Sequence, residues 1–573
     1  MDDFSIAAIF SDNMVLQRNS CVSFFGEAKG DFCVTVSIFD KKGDILSQNK
    51  CFSQNGKWIC KLEPLPAQDD CKVTITASNS STNSDSVSAN SSSNPTISID
   101  KTFSNVSIGE VWLAGGQSNM EFELQNCTEG PDEIQNQKND PNVRFYYTNK
   151  IAWKDEHFFE AEKNTCWQTW ESEGKKAWSA VGYFFAKKLA SDLGCTVGVI
   201  GCNWGGTSAS AWMNESYLRQ DDDLRSYLIE QEEATAGKTI EQQIKEYEDY
   251  EKTYSEWDKK YSVLWQEKPG ISWEQAEKVL GKNPWPGPKS CKNPYRPTGL
   301  YDCMLSRITP YTLQGVIWYQ GESDDHKPQM YAKLFGTMIQ NWREDFDNPE
   351  LPFIFVQLPE HRYEQDKDFK HWCLIREAQL KIHQTVKNAW MTCAVGLGQY
   401  SDIHPRAKKV LAERMEQNAL SNVYKMLPPQ NVLSPVLKDY FAKDGKITLF
   451  FENADSGFLV HEDSQTLDNY KKLEQIQGNV VPDDFTGFEV AGIDGVYYPA
   501  KFALGGTDSQ LNTITLCSSK VPEPVFARYG WYNYGPFPIF GKNKLPMSPF
   551  RTSTKDGATA NQHAEIQQIM TCS

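Results

Sequence analysis

The segment Val111-Trp-Leu-Ala-Gly-Gly-Gln-Ser-Asn-Met120 decides how the rest of the chain is read. Val111, Trp112 and Leu113 form a short apolar, β-favouring run. Gly115 and Gly116 follow, then Ser118 and the helix-tolerant Met120-Glu-Phe-Glu-Leu124. Such a sequence prefers a buried strand, a tight turn and a helix start. At the C-terminal edge of a parallel sheet, that shape exposes one side chain, here Ser118, to a crevice and aims backbone N–H groups at it. A serine so placed can act as a nucleophile, with its own N–H helping to hold an oxyanion. The plainer role for the same residue is the N-cap of the helix that follows.

Three further stretches supply partners. Asp402-Ile-His-Pro405 offers an imidazole with a carboxylate two positions before it, and Pro405 keeps the residues before it out of helical geometry, so this is a loop. Ile317-Trp-Tyr-Gln-Gly-Glu-Ser-Asp324 reads as a strand ending in polar groups at a glycine. Val197-Gly-Val-Ile-Gly-Cys-Asn-Trp-Gly-Gly-Thr207 is another strand of the same kind. Together they are the parts of a hydrolase site at a sheet edge.

The blocks Gly116-Gln-Ser-Asn-Met120, Trp204-Gly-Gly-Thr207, Trp318-Tyr-Gln-Gly-Glu-Ser323 and Asp402-Ile-His-Pro405 resemble those of the sialate O-acetylesterase family, one of the SGNH (GDSL-like) hydrolases. The likeness extends to Phe10-Ser-Asp-Asn-Met-Val-Leu-Gln17 and Leu545-Pro-Met-Ser-Pro-Phe-Arg-Thr552, so it covers nearly the whole chain in order. It implies an α/β fold: an SGNH-type doubly wound parallel sheet, a flavodoxin-like three-layer sandwich, flanked by N-terminal and C-terminal β-sandwich-type domains. It also implies a serine esterase that removes O-acetyl groups from carbohydrate, O-acetylated sialic acid by the family name, through an acetyl-serine intermediate. Acetylated plant polysaccharide such as xylan or xyloglucan is the alternative substrate. A non-catalytic carbohydrate-binding protein with a degenerate hydrolase domain is the alternative of another class. A peptidase or lipase would need a Gly-x-Ser-x-Gly elbow, which the sequence lacks. No metal and no organic cofactor is implied.

By this resemblance Ser118 is the nucleophile and His404 the base. The wider superfamily uses Asp-x-x-His, but the residue three before His404 is Ser401. Asp402 is the first candidate for orienting His404, Glu322 the rival, and a backbone carbonyl of the same loop the third option. The oxyanion donors are the N–H of Ser118, the N–H of Gly205 or Gly206, and the side-chain amide of Gln320. Gln117 and Asn119 flank the nucleophile as substrate-binding candidates, with local hydrogen bonds that hold the turn as their other role. Trp204 is a candidate for stacking on sugar. The sequence departs from the pattern at Gly396, where Asp is common, and at Cys303, where Gly is common.

Bulk properties narrow the class. At 573 residues the chain exceeds one hydrophobic core. Aromatics make up 12%, with 17 Trp, which suits a carbohydrate-handling protein because sugar faces stack on such rings. The net charge of −17 argues against nucleic acid as a partner, and equally against a membrane surface. The 15 cysteines are scattered, with no Cys-x-x-Cys pair and no metal spacing, and read as reduced core thiols. The start, Met1-Asp-Asp-Phe-Ser5, has neither a basic segment nor an apolar run, so the chain reads as cytoplasmic as it stands, and as secreted or periplasmic if trimmed. Oligomeric state is left open.

Taken in order, residues 1–105 alternate in the β manner and read as a β-sandwich domain, with Asn55-Gly56 as a hairpin turn. The polar tract 78–94 reads as a disordered loop tip. Residues 106–427 form the α/β hydrolase domain, interrupted by a helical insertion at 214–289. In that insertion Ile240, Ile244, Tyr247, Tyr254, Trp257, Tyr261 and Leu264 recur at helical spacing and read as one long amphipathic helix, its aromatic stripe expected to pack on the parent domain, with lining a sugar site as its other role. Asn283-Pro-Trp-Pro-Gly-Pro288 is a stiff return loop beside the cleft. Residues 428–573 return to β-type runs.

Overall fold

The computed structural model describes residues 3–79, 98–137, 139–268, 271, 273–362, 368–400, 402–506 and 510–554. Most of the tract 78–94 lies outside them. The chain is a mixed α/β protein whose central sheet has ten strands, both parallel and antiparallel. Six of these carry the α/β part: β1 (Ser98–Gly116), β2 (Val143–Tyr147), β3 (Val197–Asn203), β4 (Gly315–Tyr319), β5 (Phe353–Gln357) and β6 (Ala389–Cys393). Their order is β6-β5-β4-β1-β3-β2, with every neighbouring pair parallel. Parallel strands are covered on both faces, which is why these runs are apolar throughout rather than alternating.

Helices cover both faces. On β4, Trp318 packs against Phe335 and Trp342 of α4 (Tyr331–Asp345). The next residue, Tyr319, points the other way, towards Lys408 at the start of α6 (Lys408–Asn422). α2 (Ala180–Leu193) packs beside α6, and α5 (His371–Thr385) beside α4. The ends of α2 follow local chemistry. Ser179 caps its first turn by accepting from the Gly182 N–H, and Gly194 takes the left-handed conformation (φ 65°) that ends it.

β1 has 19 residues and serves two layers. Its first half pairs antiparallel with Gln68–Asn79, and through it with Phe32–Phe39 and Ile45–Phe52; its second half is the centre of the parallel sheet. The boundary read at residue 105 therefore lies inside one continuous strand. A three-stranded sheet of Phe4–Ile6, Val22–Ala28 and Lys57–Leu62 completes the N-terminal part. Asn55 and Gly56 both have positive φ, as a two-residue hairpin turn requires. The strand Ile45–Phe52 is too polar and exposed for its alternation to have been legible.

The insertion is four helices rather than one: Glu215–Gln220, Arg225–Thr235, the 28-residue α3 (Ile240–Glu267), and Trp273–Leu280. A Thr239–Gln242 capping box starts α3. The C-terminal part has two four-stranded sheets and one two-stranded sheet, with a helix at Ser464–Ile476 among them. Its core reaches Cys393 and Val395 at the end of β6. All cysteines among the described residues are free. No helix there is long and apolar enough to cross a membrane.

Candidate active site

The site is built from the C-terminal ends of β1, β3, β4 and the loop after β6. Gly116 ends β1 at φ 136°, and a Cβ on it would lie 2.1 Å from the Tyr319 carbonyl, so only glycine lets β1 and β4 approach this closely before the turn. The turn delivers Ser118 as the first residue of α1 (Ser118–Glu121). Gln117, not Ser118, is the N-cap residue, and its side chain makes no capping bond. The helix stops after a single turn because Phe122 is extended (ψ 116°), so the run to Leu124 is not helical as expected. Ser118 stays partly exposed between two buried neighbours, and its N–H, the first of the helix, has no intrahelical acceptor.

Those neighbours tie the turn to distant loops. Gln117 donates to Ser323 Oγ (3.1 Å) and accepts from the Ser323 N–H (3.1 Å). Asn119 donates to Glu322 Oε1 (2.6 Å) and to the Ile403 carbonyl (2.9 Å), and accepts from Lys408 Nζ. Both side chains are buried. Their polar atoms make long-range rather than local bonds. Trp204 is half-buried against the core, its N–H bonded to the Gly116 carbonyl at 3.1 Å.

Gly205 comes next to the serine: a Cβ on it would lie 3.1 Å from Ser118 Cβ and 3.3 Å from Glu121 Oε2. Its N–H donates to that carboxylate at 2.5 Å, and Glu121 also pairs with Lys150. The Gly205 N–H is thus already engaged. Gly206 (φ 75°) lies against the rings of Tyr295 and Trp285. Its N–H has no hydrogen-bond acceptor among the described residues. Gln320 is fully buried and spends its amide on the Thr207 carbonyl (3.1 Å) and Asp324 (2.6 Å), while its oxygen accepts from Tyr331 (2.9 Å). Gln320 thereby anchors the loop after β3 to the end of β4.

The loop after β6 brings His404 to the same edge. Its ring centroid is 6.3 Å from that of Phe122, immediately after α1, and Asn119 holds the carbonyl one residue before it. Asp402 Oδ1 accepts from the backbone N–H of His404 (2.9 Å), which shapes the loop without touching the ring. Glu322 is spent on Asn119 through one oxygen, and its other oxygen is buried without a partner. Neither carboxylate hydrogen-bonds the His404 ring. Burial, with the nearby Lys408 charge, pushes the imidazole down to about 4. Burial pushes Glu322 up to about 7 and Lys408 down to about 7. Glu322 and Lys408 are thus a buried titratable pair tied to the serine turn through Asn119, with His404 half-buried beside Lys408.

Lys408, Glu121 and Asp324 had not been singled out from the sequence. Glu121 and Asp324 sit inside or beside motif blocks, and their position was the available signal. Lys408 offered none, since a lysine opening a helix normally faces solvent. Among the described residues no cluster of His, Cys, Asp and Glu could hold a metal.

Residues 287–421 match the family model described as carbohydrate esterase, sialic acid-specific acetylesterase. The sialate O-acetylesterase of Homo sapiens is 22% identical over 599 residues, covering 98% of this chain and 94% of that protein. The chain thus resembles the sialate O-acetylesterases over nearly its whole length. The Mus musculus member is 23% identical over 482 residues, 78% of this chain and 79% of its own length. Among solved structures, a carbohydrate acetylesterase from Xanthomonas citri superposes with a TM-score of 0.68 at 23% identity, covering 96% of this chain and 100% of that one. The two chains therefore share one overall fold.

Proposed function

We propose that the chain is an SGNH-type serine esterase that removes O-acetyl groups from carbohydrate, with Ser118 as nucleophile and His404 as base. Ser118 Oγ attacks the acetyl carbonyl as its proton passes to His404. The sugar alkoxide leaves with that proton, and water then hydrolyses the acetyl-serine by the reverse relay. One observation carries the reading: Asn119, next to Ser118, bonds the carbonyl next to His404, so two loops 284 residues apart in sequence share one edge of the sheet.

Leaving aside β2, the order β3-β1-β4-β5-β6 follows the flavodoxin-like pattern once those five strands are renumbered in sequence, and Ser118 follows the strand at its switch point. This supports the SGNH assignment, with residues 106–427 as the hydrolase domain between two β domains. For the oxyanion the N–H groups of Ser118 and Gly206 are the best-supported donors, with Gly205 and Gln320 as supports of the loop. Asp402 is favoured over Glu322 as the residue that orients His404, acting through the backbone of its loop.

The substrate reading is O-acetylated sialic acid, as the relatives' names say of them. Arg406 favours an acidic sugar. It lies two residues beyond His404, its guanidinium is 5.0 Å from the Trp265 ring centroid, one of its nitrogens is buried without a hydrogen-bond partner among the described residues, and the Asp402 carboxylate feels its charge without a hydrogen bond to it. The test is acetate release from acetylated sialic acids, xylan and xyloglucan, together with labelling by a serine-reactive fluorophosphonate. Wild type is expected to label and to prefer the acidic sugar, and Ser118→Ala to do neither. Unchanged acetate release by Ser118→Ala would exclude the mechanism, and preference for xylan or xyloglucan would exclude the substrate.

A further inference from the structure

The insertion does more than pack on its parent. Of the residues on α3 only Gln243, Tyr247, Trp257 and Leu264 are buried; Tyr250, Tyr254, Tyr261 and Trp265 remain partly open. Tyr250 closes on Gly287, where a Cβ would lie 2.5 Å from its ring, and so fastens the return loop to α3. That loop carries Trp285, 46% exposed although it is a large indole. The backbone N–H of Trp285 donates to Asn283 Oδ1 (3.0 Å), its ring meets Tyr295 edge-on at 5.7 Å and 80°, and both rings touch the Gly206 position. Burial raises the phenols of Tyr254 and Tyr295, and in both cases the Glu121 charge adds to the rise, so these rings stand close to the serine turn.

An exposed indole loses little by being covered and gains apolar contact when a flat, weakly polar face is laid on it. Here the neighbouring prolines restrain the backbone and Tyr295 packs edge-on against the ring, so binding costs less further ordering than for a free side chain. The C–H face of a pyranose ring is a ligand of that shape. We propose that Trp285, backed by Tyr295, is a stacking platform for the sugar residue next to the acetylated one, so that the site takes an acetylated glycan rather than a free monosaccharide. This rests on the esterase reading for its place beside Ser118, but the platform itself binds sugar whether or not the chemistry occurs.

Two measurements test it. The first compares wild type with Trp285→Ala on O-acetylated sialyllactose, free O-acetylated N-acetylneuraminic acid, acetylated xylotriose and p-nitrophenyl acetate. For whichever acetylated oligosaccharide wild type cleaves, KM is expected to rise about fivefold to tenfold more than for p-nitrophenyl acetate. Equal losses on all substrates would mean that Trp285 only supports the Gly206 loop, and would overturn the proposal. The second is calorimetric binding of deacetylated sialyllactose and xylotriose to Ser118→Ala with and without Trp285→Ala. Weaker binding in the double variant is expected, and unchanged binding overturns the platform. A wild type inert to both p-nitrophenyl acetate and the fluorophosphonate would sink the esterase reading alone, because the calorimetry still reads the platform.

Discussion

The N–H of Gly205 donates to Glu121 Oε2 at 2.5 Å, so a carboxylate three residues beyond Ser118 holds the glycine pair that faces it. This bond ties down the Gly205–Gly206 turn and leaves the Gly206 N–H as the proposed oxyanion donor on that side. Glu121→Ala is expected to lower kcat on p-nitrophenyl acetate by about tenfold to a hundredfold, with KM little changed, because a misplaced oxyanion donor acts on the transition state. Glu121→Gln keeps an acceptor oxygen and should recover most of the rate. A rise in kcat for Glu121→Ala would instead mean that the carboxylate blocks Gly205 as a donor.

The pH profile follows from His404. Burial holds its imidazole near 4, below the ordinary 6.5, so the base stays neutral and competent into the acid range. The acid limb of kcat/KM should therefore fall well below pH 6.5, and a limb at or above that value would contradict the buried placement. The same group contributes stability that is complete above the unfolded value of 6.5 and is lost as pH falls towards 4, since only the unfolded chain takes up the proton in that window.

Lys408 tunes that limb. Its charge lies close enough to depress His404, and it bonds Asn119 beneath the serine turn. Lys408→Met should move the acid limb upward and also reduce kcat, because Asn119 loses its acceptor-side partner. A pH–rate profile on p-nitrophenyl acetate reads both effects. A limb that does not move would remove Lys408 from the electrostatics of the site.

Arg376 is a structural counterpart to these. Fully buried on α5, it donates to the carbonyls of Leu358, Pro359, Tyr532 and Asn533, and so staples the end of β5 to the C-terminal part. Arg376→Ala leaves those acceptors buried without their donor and should cost about 3 kcal/mol or more of stability. Urea unfolding checks this. A change below about 1 kcal/mol would show that water replaces the guanidinium.

What the sequence alone determined is whatever depends on local pattern. Unbroken apolar runs at 111–114, 197–200 and 315–319 could only be strands buried on both faces, and glycines after them could only be turns. Ser118 and His404, the proposed nucleophile and base, stand out in sequence because each sits in a short block whose local shape is set by its own residues. The tertiary structure decided how the remaining donors and charges are spent. Gln320, Gln117 and Asn119 look like substrate ligands in sequence, yet each is committed to a partner tens to hundreds of residues away, and a hydrogen bond between distant segments leaves no periodic trace. Lys408 is hidden for the same reason: burial is a property of the assembled layers, and only burial makes an ordinary surface residue part of an active site.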